Sequence, residues 1–489
     1  MQIGIDLGTS EVKLVLVDDD DRIVAAAARA LTLSRPQPTW SEQDPLLWWR
    51  ATEEGLDELA NREPAAMAAV RAIGLAGQMH GAVLLDDCNR VLRAAILWND
   101  SRAARECEDF EARCPDSRSI SGNRAMPGFT APKLIWVSKH EPDRFRALDM
   151  VLLPKDYLRL HLVGERVSDF SDAAGTLWLD VRHRCWSQAL LEASGLDVRQ
   201  VPRLVEGAEP SGQLRSALAA RWGMTSPVVV AGGGADNAAS AVGVGCVRPG
   251  QALVSLGTSG VVLSARDEFR PNADQGIHTF CHALSDRWYQ MSVALSATAS
   301  LDWIARMLQI TPAALLSEAE RVEPKAAPLF LPYLSGERTP HNDPDARGVF
   351  FGLRHDHDRA ALGYAVAEGV AFALADGHAA LVRTGGGVRN LALMGGGARS
   401  QLWARLLAAS LDCPLEQSAT AERGAAFGAA RLARLSIGTG DVDQICSPPP
   451  VDKLIEPDPA LVRALRPRLD RFRRLYRAVK PLFVEASRD

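Results

Sequence analysis

Two aspartates lie at positions where an apolar stretch is followed by several small residues. Asp6 closes the first apolar stretch of the chain, within GIDLGTS, and Asp236 follows three glycines, within GGGADN. A carboxylate beside a phosphate loop makes electrostatic sense if Mg²⁺ bridges it to the phosphates, or if it accepts the proton of an attacking hydroxyl. The structural alternative is an N-cap or a turn closed by the side chain, and it is strongest for Asp236, which precedes a small-residue helix.

Both aspartates belong to small-residue loops that directly follow apolar strands. The loops are residues 6–10, 232–237, 256–260 and 395–400. Glycine lets backbone N–H groups approach a phosphate because no Cβ intervenes. The GxxxxGK motif of P-loop proteins and the GxGxxG motif of dinucleotide sites are both absent from the sequence. The loops therefore predict a polyphosphate held across a cleft between two halves of the chain.

Side chains in these loops offer further donors to a phosphate. The candidates are Thr9, Ser10, Lys13, Thr258 and Ser259. Hydroxyls both donate and accept, whereas an ammonium only donates. The alternative for Lys13 is a solvated position at a strand edge.

The elements that must position these loops form a repeated pattern. Residues 3–8 and 12–17 read as a hairpin, followed by a third apolar stretch at 22–30. The tetrapeptide LGTS lies in that hairpin at 7–10 and recurs at 256–259, again between two apolar strands. The shared context favours an internal duplication over a chance turn. Apolar strands alternate with helical patterns elsewhere, which predicts α/β domains with mostly parallel sheets.

Length and composition restrict the class of protein. The 489 residues suit two domains and an extension, predicted at 1–245, 246–440 and 441–489. A formal net charge of −5 disfavours a nucleic-acid partner. No apolar run suggests a membrane span, and the N-terminus lacks the pattern of a signal peptide. Eight cysteines without a CxxC pair indicate a reducing compartment, hence a cytoplasmic protein.

The C-terminal tail is rich in arginine but has an apolar face. Leu465, Leu469, Phe472 and Tyr476 recur at helical spacing. This pattern predicts a helix docked on the body of the protein, with solvated arginines opposite.

Taken together, the duplicated hairpins and the glycine loops resemble the FGGY carbohydrate kinases. That family has two duplicated domains of the actin-like ATPase (ribonuclease H-like) fold, which close over ATP and a sugar. The resemblance covers nearly the whole chain and rests on GIDLGTSEVK (4–13), WSEQDP (40–45), AGQMHG (76–81), ILWND (96–100), MPGFTAPKL (126–134), LLPKDYLRL (152–160), SDAAGTLWLD (171–180), LGTSG (256–260), LPYLSGERTPH (331–341), GVFFGL (348–353) and GGGAR (395–399).

The resemblance implies roles for the two acids and for the sugar site. Asp236 matches the base that accepts the proton of the sugar hydroxyl, and Asp6 matches the acid that helps to hold Mg²⁺, so both are candidate metal ligands. Met79 and His80 match the pair that contacts the sugar. Ala235 is a departure, because in similar sequences the aspartate follows the glycines directly.

Further candidate contacts rest on position alone. Asn237 follows the base, and Asn99 and Asp100 follow Trp98 within ILWND. Each could equally be structural. For Glu337 and Arg338 the simple hypothesis is a surface ion pair.

The resemblance also implies where ATP would bind. Gly257 and Thr258 match the second phosphate loop. The loop that meets the nucleotide corresponds to Gly395, Gly396 and Gly397.

The implied activity is the ATP-dependent phosphorylation of a small sugar, with Mg-ATP as donor. GQMHG favours D-xylulose as that sugar. The alternatives are another pentulose or a polyol (ribulose, arabinitol, a deoxy-ketose), an actin-like ATPase without a sugar, or a regulator without catalysis. The oligomeric state stays open, with a homodimer as one alternative.

Overall fold

The computed structural model describes residues 1–385, 388, 390–418 and 424–486. Two seven-stranded sheets carry the two halves of the chain, and small two-stranded sheets accompany them. Apolar strands and helices alternate around both sheets, as the sequence predicts.

The N-terminal half contains the first large sheet together with several two-stranded sheets. Its strands are β1 (Gln2–Leu7), β2 (Glu11–Val17), β3 (Ile23–Ala30), β4 (Glu42–Gln43), β5 (Ala72–Gly77), β6 (Val83–Leu85), β7 (Ala95–Ile96), β8 (Met150–Leu152), β9 (Val167–Asp169), β10 (Leu179–Asp180), β11 (Cys185–Trp186), β12 (Arg203–Val205), β13 (Pro210–Gln213), β14 (Val229–Ala231) and β15 (Gly234–Ala235). Its helices are α1 (Pro45–Arg62), α2 (Pro64–Ala68), α3 (Ala104–Arg113), α4 (Ser117–Ser121), α5 (Thr130–His140), α6 (Pro142–Arg146), α7 (Pro154–Val163), α8 (Phe170–Ala173), α9 (Gln188–Ala193), α10 (Ser216–Arg221) and α11 (Asp236–Gly243).

The C-terminal half contains the second large sheet together with one two-stranded sheet among the described residues. Its strands are β16 (Ala252–Leu256), β17 (Gly260–Arg266), β18 (His278–Cys281), β19 (Trp288–Ala294), β20 (Leu329–Leu331), β21 (Val349–Phe351), β22 (Leu391–Met394), β23 (Leu415–Gln417) and β24 (Lys453–Ile455). Its helices are α12 (Thr298–Met307), α13 (Pro312–Ala319), α14 (Arg359–Arg383), α15 (Gln401–Leu411), α16 (Gly424–Ser436), α17 (Val442–Ile445) and α18 (Pro459–Ala486).

The two large sheets share the order of their five central strands. The first runs β13–β14–β5–β1–β2–β3, with β15 also paired to β5, and the second runs β24–β23–β22–β16–β17–β19–β18. In each sheet, three parallel strands meet an antiparallel meander. The first turn of each meander carries LGTS, at 7–10 and at 256–259. The predicted duplication is therefore confirmed, and β1 to β3 lie within one residue of the predicted stretches.

Helix α16 joins the two halves, because it follows β23 of the second sheet in the chain but packs on β1 and β5 of the first. A Cβ at Gly4 or Gly74 would collide with the carbonyl oxygen of Ala426 or Ala429 in α16. Glycine is thus required where the helix backbone lies directly on the sheet.

The C-terminal helix α18 docks on the second half, as predicted. Leu465, Phe472 and Tyr476 are buried, and Leu469 packs against the same core. By length and composition, α14 is long and apolar enough to cross a membrane, an exception to the prediction from apolar runs. Most of α14 lies inside the protein, against α13, α15 and β20, as a core helix does.

Candidate active site

The carboxyl ends of neighbouring parallel strands bring the predicted acids and the predicted sugar pair together. Asp6 of β1 is in register with Ala76 of β5, and Ala76 is in register with Gly234 of β15. Two strand spacings place Asp6 about 10 Å from Gly234 across the sheet. Asp236 directly follows β15, and His80 comes three residues after β5. The two acids and the sugar pair therefore share one edge of the sheet.

Asp236 is the first residue of α11, while the N-cap position belongs to Ala235. Its Oδ1 accepts hydrogen bonds from the backbone and the side-chain amide of Asn237, at 2.7 and 2.8 Å. Burial, followed by the charge of Asp6, raises the pKa of Asp236 to about 7. A carboxylate with such a pKa is suited to accept a proton near neutral pH.

Asp6 lies opposite Lys13 in the β1–β2 hairpin. Its Oδ1 is buried and has no hydrogen-bond partner among the described residues. Burial raises the pKa of Asp6 to about 6, while the Lys13 ammonium acts in the opposite direction. Lys13 itself is exposed and pairs with Glu11 at 3.0 Å.

The two carboxylates fit a magnesium ion. Asp6 offers a buried oxygen without a partner, and Asp236 lies near enough for the Asp6 charge to raise its pKa. Hard oxygen ligands of this kind, completed by waters and phosphates, are what Mg²⁺ prefers. Asp6 and Asp236 would hold the ion.

His80 has a strained backbone and a defined tautomer. Its φ is 69°, in the left-handed region that side chains rarely adopt. Nδ1 lies 2.6 Å from the carbonyl oxygen of Gly175, so Nδ1 carries the proton and Nε2 is left as an acceptor. Burial lowers the pKa of His80 to about 3, so the ring is neutral. The His80 carbonyl accepts from Lys133 Nζ at 2.9 Å and from Thr130 Oγ1 at 3.1 Å.

Met79 and His80 belong to a buried apolar wall that includes three aromatic rings. The His80 ring lies 4.5 Å from that of Phe129 and 6.2 Å from that of Phe280. The Tyr289 hydroxyl donates to the Met79 sulfur at 3.9 Å. Such a wall can contact the carbon skeleton of a small ligand, while His80 Nε2 can accept a hydrogen bond from a hydroxyl of that ligand.

The structure separates the remaining sugar candidates. Asn99 is exposed. Asp100 is buried, accepts from the Ser41 backbone at 2.6 Å and pairs with Arg102 at 2.7 Å. The carboxylate of Asp100 is thus committed to a structural network, whereas Asn237 stands beside the base.

The two LGTS copies differ in how their threonines are used. Thr9 Oγ1 donates to Gln78 Oε1 at 3.0 Å and accepts from Trp98 Nε1 at 2.9 Å. Thr258 is exposed, and its hydroxyl has no hydrogen-bond partner among the described residues. Ser10 is exposed as well. The Thr9 hydroxyl thus ties the first hairpin to Gln78 and Trp98, whereas the Thr258 hydroxyl has no such contact among the described residues.

The glycine loop after β22 lies beside the second LGTS turn. A Cβ at Gly395 or Gly397 would press on Leu256, whereas Gly396 has open space around its Cβ position. The carbonyl of Gly257 accepts the Thr298 N–H at 3.0 Å, which fixes the turn on α12. These contacts place the glycine loop against the second LGTS turn, and glycine backbones of this kind can bring N–H groups close to a phosphate.

Two family models match the chain: the N-terminal domain of the FGGY family of carbohydrate kinases over residues 1–243, and the C-terminal domain of that family over residues 252–437. This chain belongs to the FGGY family of carbohydrate kinases. The family predicted from the sequence motifs is thereby confirmed, and with it the fold of two duplicated actin-like domains.

Individual relatives extend the match over the full length of this FGGY kinase. Xylulose kinase of Escherichia coli (strain K12) is 50% identical over 487 residues, covering 99% of this chain and 100% of that protein. Xylulose kinase of Klebsiella pneumoniae is 47% identical over 489 residues, with 99% and 100% covered. The crystal structure of a xyloylose kinase from Brucella ovis superposes with a TM-score of 0.94 at 49% identity, covering 98% and 99% of the two chains.

In this FGGY kinase, a buried ionic cluster lies behind the Asp236 loop and has no counterpart among the sequence predictions. The Ala235 N–H donates to Ser171 Oγ at 3.0 Å, and Ser171 donates to Asp169. Lys155, fully buried, pairs with Asp156, Asp169 and Asp172 at 2.6, 2.8 and 3.2 Å. The cluster fixes the peptide that precedes the candidate base.

Sequence alone gave only a faint signal for that cluster. Lys155 and Ser171 lie within the segments LLPKDYLRL and SDAAGTLWLD, which carry the family resemblance but no recognisable local motif. Ala235 is itself buried, so the residue that departs from similar sequences fits its place between β5 and α11.

Proposed function

We propose that this FGGY kinase transfers the γ-phosphoryl group of ATP to D-xylulose, giving D-xylulose 5-phosphate and ADP. One observation carries the proposal: Asp236 and the Met79–His80 pair directly follow two neighbouring strands, β15 and β5, at the same end of the sheet. Asp236 is a carboxylate with a pKa near neutrality. The full-length similarity to xylulose kinases supports D-xylulose as the sugar.

Asp236 is proposed as the general base. A sugar hydroxyl is a weak nucleophile at neutral pH, and a positioned carboxylate that takes its proton contributes about 10²–10⁴-fold. As the hydroxyl oxygen bonds to phosphorus, the bond from phosphorus to the ADP oxygen breaks and the hydroxyl proton passes to Asp236. Asn237, which donates to Oδ1, keeps the carboxylate oriented.

The sugar is proposed to lie on the Met79–His80 wall. His80 Nε2 accepts a hydrogen bond from one hydroxyl, while Met79 contacts the carbon chain. Asn99 and Asp100 stay predictions as further contacts, although Asp100 already has a full set of partners.

ATP is proposed to bind between the two LGTS turns. The open backbone of Gly395 to Gly397 and the free hydroxyl of Thr258 face its phosphates, with Gly257, Ser10 and Lys13 as secondary candidates. Thr9 shapes the first turn through Gln78 and Trp98. When bound by Asp6 and Asp236, Mg²⁺ would neutralise charge on the transferring phosphoryl group.

The wider setting is part of the same proposal. We divide the chain into domains at 1–245 and 246–440 with an extension at 441–489, and the domains close to exclude water. A cytoplasmic location is supported by the exposed free thiols of Cys88 and Cys185. A homodimer stays a prediction, which sedimentation at several protein concentrations would check.

A coupled assay of ADP release tests the function. The panel would contain D-xylulose, D-ribulose, D-arabinitol, a deoxy-ketose and no sugar, each with MgATP. We expect the highest kcat/KM with D-xylulose and negligible ADP release without sugar. Faster turnover of another acceptor would reassign the substrate, and equal release without sugar would contradict a sugar kinase altogether.

A further inference from the structure

One arginine of the C-terminal half packs against the N-terminal half, beside the wall that contains Met79 and His80. Arg338 lies between β20 and β21, within LSGERTPH. A Cβ at Gly128, just before Phe129 in the pocket wall, would stand 3.2 Å from Arg338 Nη2 and would also meet the Trp98 carbonyl. The guanidinium is thus packed against the segment that ends at α5, across the cleft from its own sheet.

The backbone around Arg338 is fixed. Glu337, which is buried, accepts the N–H groups of Arg338 and Leu295 through Oε1, at 2.8 and 3.0 Å. The Thr339 N–H donates to the Val293 carbonyl at 3.1 Å, and the Thr339 hydroxyl donates to Gly276 at 2.8 Å. The reading of Glu337 and Arg338 as a surface ion pair therefore fails: Glu337 bonds backbone amides inside the protein.

The guanidinium, in contrast, has no hydrogen-bond or ion-pair partner among the described residues. The side chain keeps only partial contact with solvent. Burial lowers the pKa of Arg338 to about 10, so the group is still charged at neutral pH. A cation withdrawn from water without a partner is costly unless a ligand completes it. The fixed backbone and a half-buried guanidinium without a protein partner among the described residues together indicate a site prepared for oxygen acceptors.

The position of Arg338 within the pocket follows from its neighbours. Its charge helps to lower the pKa values of His80, His278 and Lys133, after burial as the main cause. The groups that shift the pKa of Asp236 are instead Asp6 and Asn237. Arg338 also packs on Gly128, next to Phe129, whose ring lies 4.5 Å from that of His80, so the guanidinium lies on the His80 side of the site.

His278 supports a ligand at that same end. Its Nδ1 lies 3.1 Å from Asn123 Oδ1, which also accepts the Thr279 N–H at 3.2 Å. Nδ1 is therefore the donor, and Nε2 is a buried acceptor without a partner among the described residues. The Arg338 guanidinium packs on Gly128, and the His278 ring lies 5.6 Å from that of Phe129. A hydrogen-bond donor and an acceptor are thus both present on this side of the site.

We propose that Arg338 is a substrate-contacting residue that donates hydrogen bonds to the carbonyl and terminal hydroxyl oxygens at the unphosphorylated end of the ketose. The inference rests on the proposed function, because it presumes a keto-sugar in this pocket. A planar guanidinium can donate two parallel hydrogen bonds to adjacent oxygens. The C-terminal half thereby reads the sugar that the N-terminal half holds.

The test combines variants of Arg338 with a substrate that lacks one oxygen. Wild type, R338M and R338K are assayed with D-xylulose and with 1-deoxy-D-xylulose, with ADP affinity and thermal stability as controls. Loss of a charged hydrogen bond predicts about a 10–100-fold fall in kcat/KM for D-xylulose in R338M. The fall is smaller for the 1-deoxy sugar, R338K is intermediate, and the KM for ATP is unchanged.

Three outcomes are informative. Retention of kcat/KM within about twofold in R338M, or an equal loss on both sugars, overturns the proposal. If R338M does not fold, the activity of R338K is the test, because lysine keeps the charge but cannot donate two parallel hydrogen bonds. Full activity of R338K on both sugars refutes the contact. Wild type that is inactive on D-xylulose but active on another sugar would instead refute the proposed function, so the two failures are distinguishable.

Discussion

Asp6 lies in β1 and Asp236 directly follows β15, two parallel strands of one sheet that have only β5 between them, and burial together with the Asp6 carboxylate raises the pKa of Asp236. Two carboxylates at one sheet edge repel each other until a cation or a proton enters. The repulsion explains how Asp236 can serve as a base near neutral pH, and it would also favour a metal ion bound by both carboxylates.

Removing the base should abolish most turnover. Asp236→Asn keeps the shape and the bond to Asn237 but cannot take a proton, so we expect kcat to fall by about 10²–10⁴-fold with little change in the KM for ATP. The coupled ADP assay measures this. Asp302→Asn, at an exposed position on α12, is the control and should behave as wild type. Near-normal kcat in Asp236→Asn would remove the base assignment.

The raised pKa of Asp236 also predicts how stability depends on pH. Without metal and nucleotide, the folded protein keeps a proton on Asp236 up to about pH 7, whereas the unfolded chain has lost it above pH 4. The free energy of unfolding should therefore decline across that interval as pH rises. Asp236→Asn should decline less, measured by urea unfolding in EDTA. Parallel pH profiles for the two proteins would show that the folded-state pKa is not raised.

The two LGTS threonines form a matched pair. Thr9→Val removes two partly buried hydrogen bonds and should cost about 1–3 kcal/mol of stability. Thr258→Val removes an exposed hydroxyl and should leave stability unchanged while weakening ADP binding. Thermal unfolding and calorimetric titration separate the effects. The reverse pattern would mean that the roles assigned to the two copies are exchanged.

His80 should matter for the sugar alone. His80→Asn tolerates the left-handed backbone but withdraws Nε2 from the pocket, so we expect a fall of about 5–100-fold in kcat/KM for the sugar. ADP affinity should not change. His183→Asn, on the surface, is the control. Equal losses of sugar and nucleotide binding would indicate a general disturbance rather than a sugar contact.

Much of the fold could be predicted from the chain, because local patterns encode it. The hairpin at residues 2–17 follows from apolar alternation around a small-residue turn, and its recurrence at 252–266 revealed the duplication. Helix α18 followed from the spacing of Leu465, Phe472 and Tyr476. The placement of α16 on the first sheet could not be predicted, since the glycines that permit it, Gly4 and Gly74, have no local signature.

The site could be predicted only in part, for a similar reason. Loops at strand ends identify Asp6 and Asp236, since the carboxyl ends of parallel strands gather at one edge. The partner of His80, the carbonyl of Gly175, lies 95 residues away in sequence. Arg338 comes from the other half of the chain. Contacts of such long range leave no periodic pattern.

The most direct test follows the phosphorus. Wild type is incubated with MgATP and one equivalent of D-xylulose, and the products are followed by ³¹P NMR. We expect one new sugar phosphomonoester, formed in step with ADP, and almost none of it with Asp236→Asn. Inorganic phosphate in place of the sugar phosphate, or an equal yield from Asp236→Asn, would contradict it.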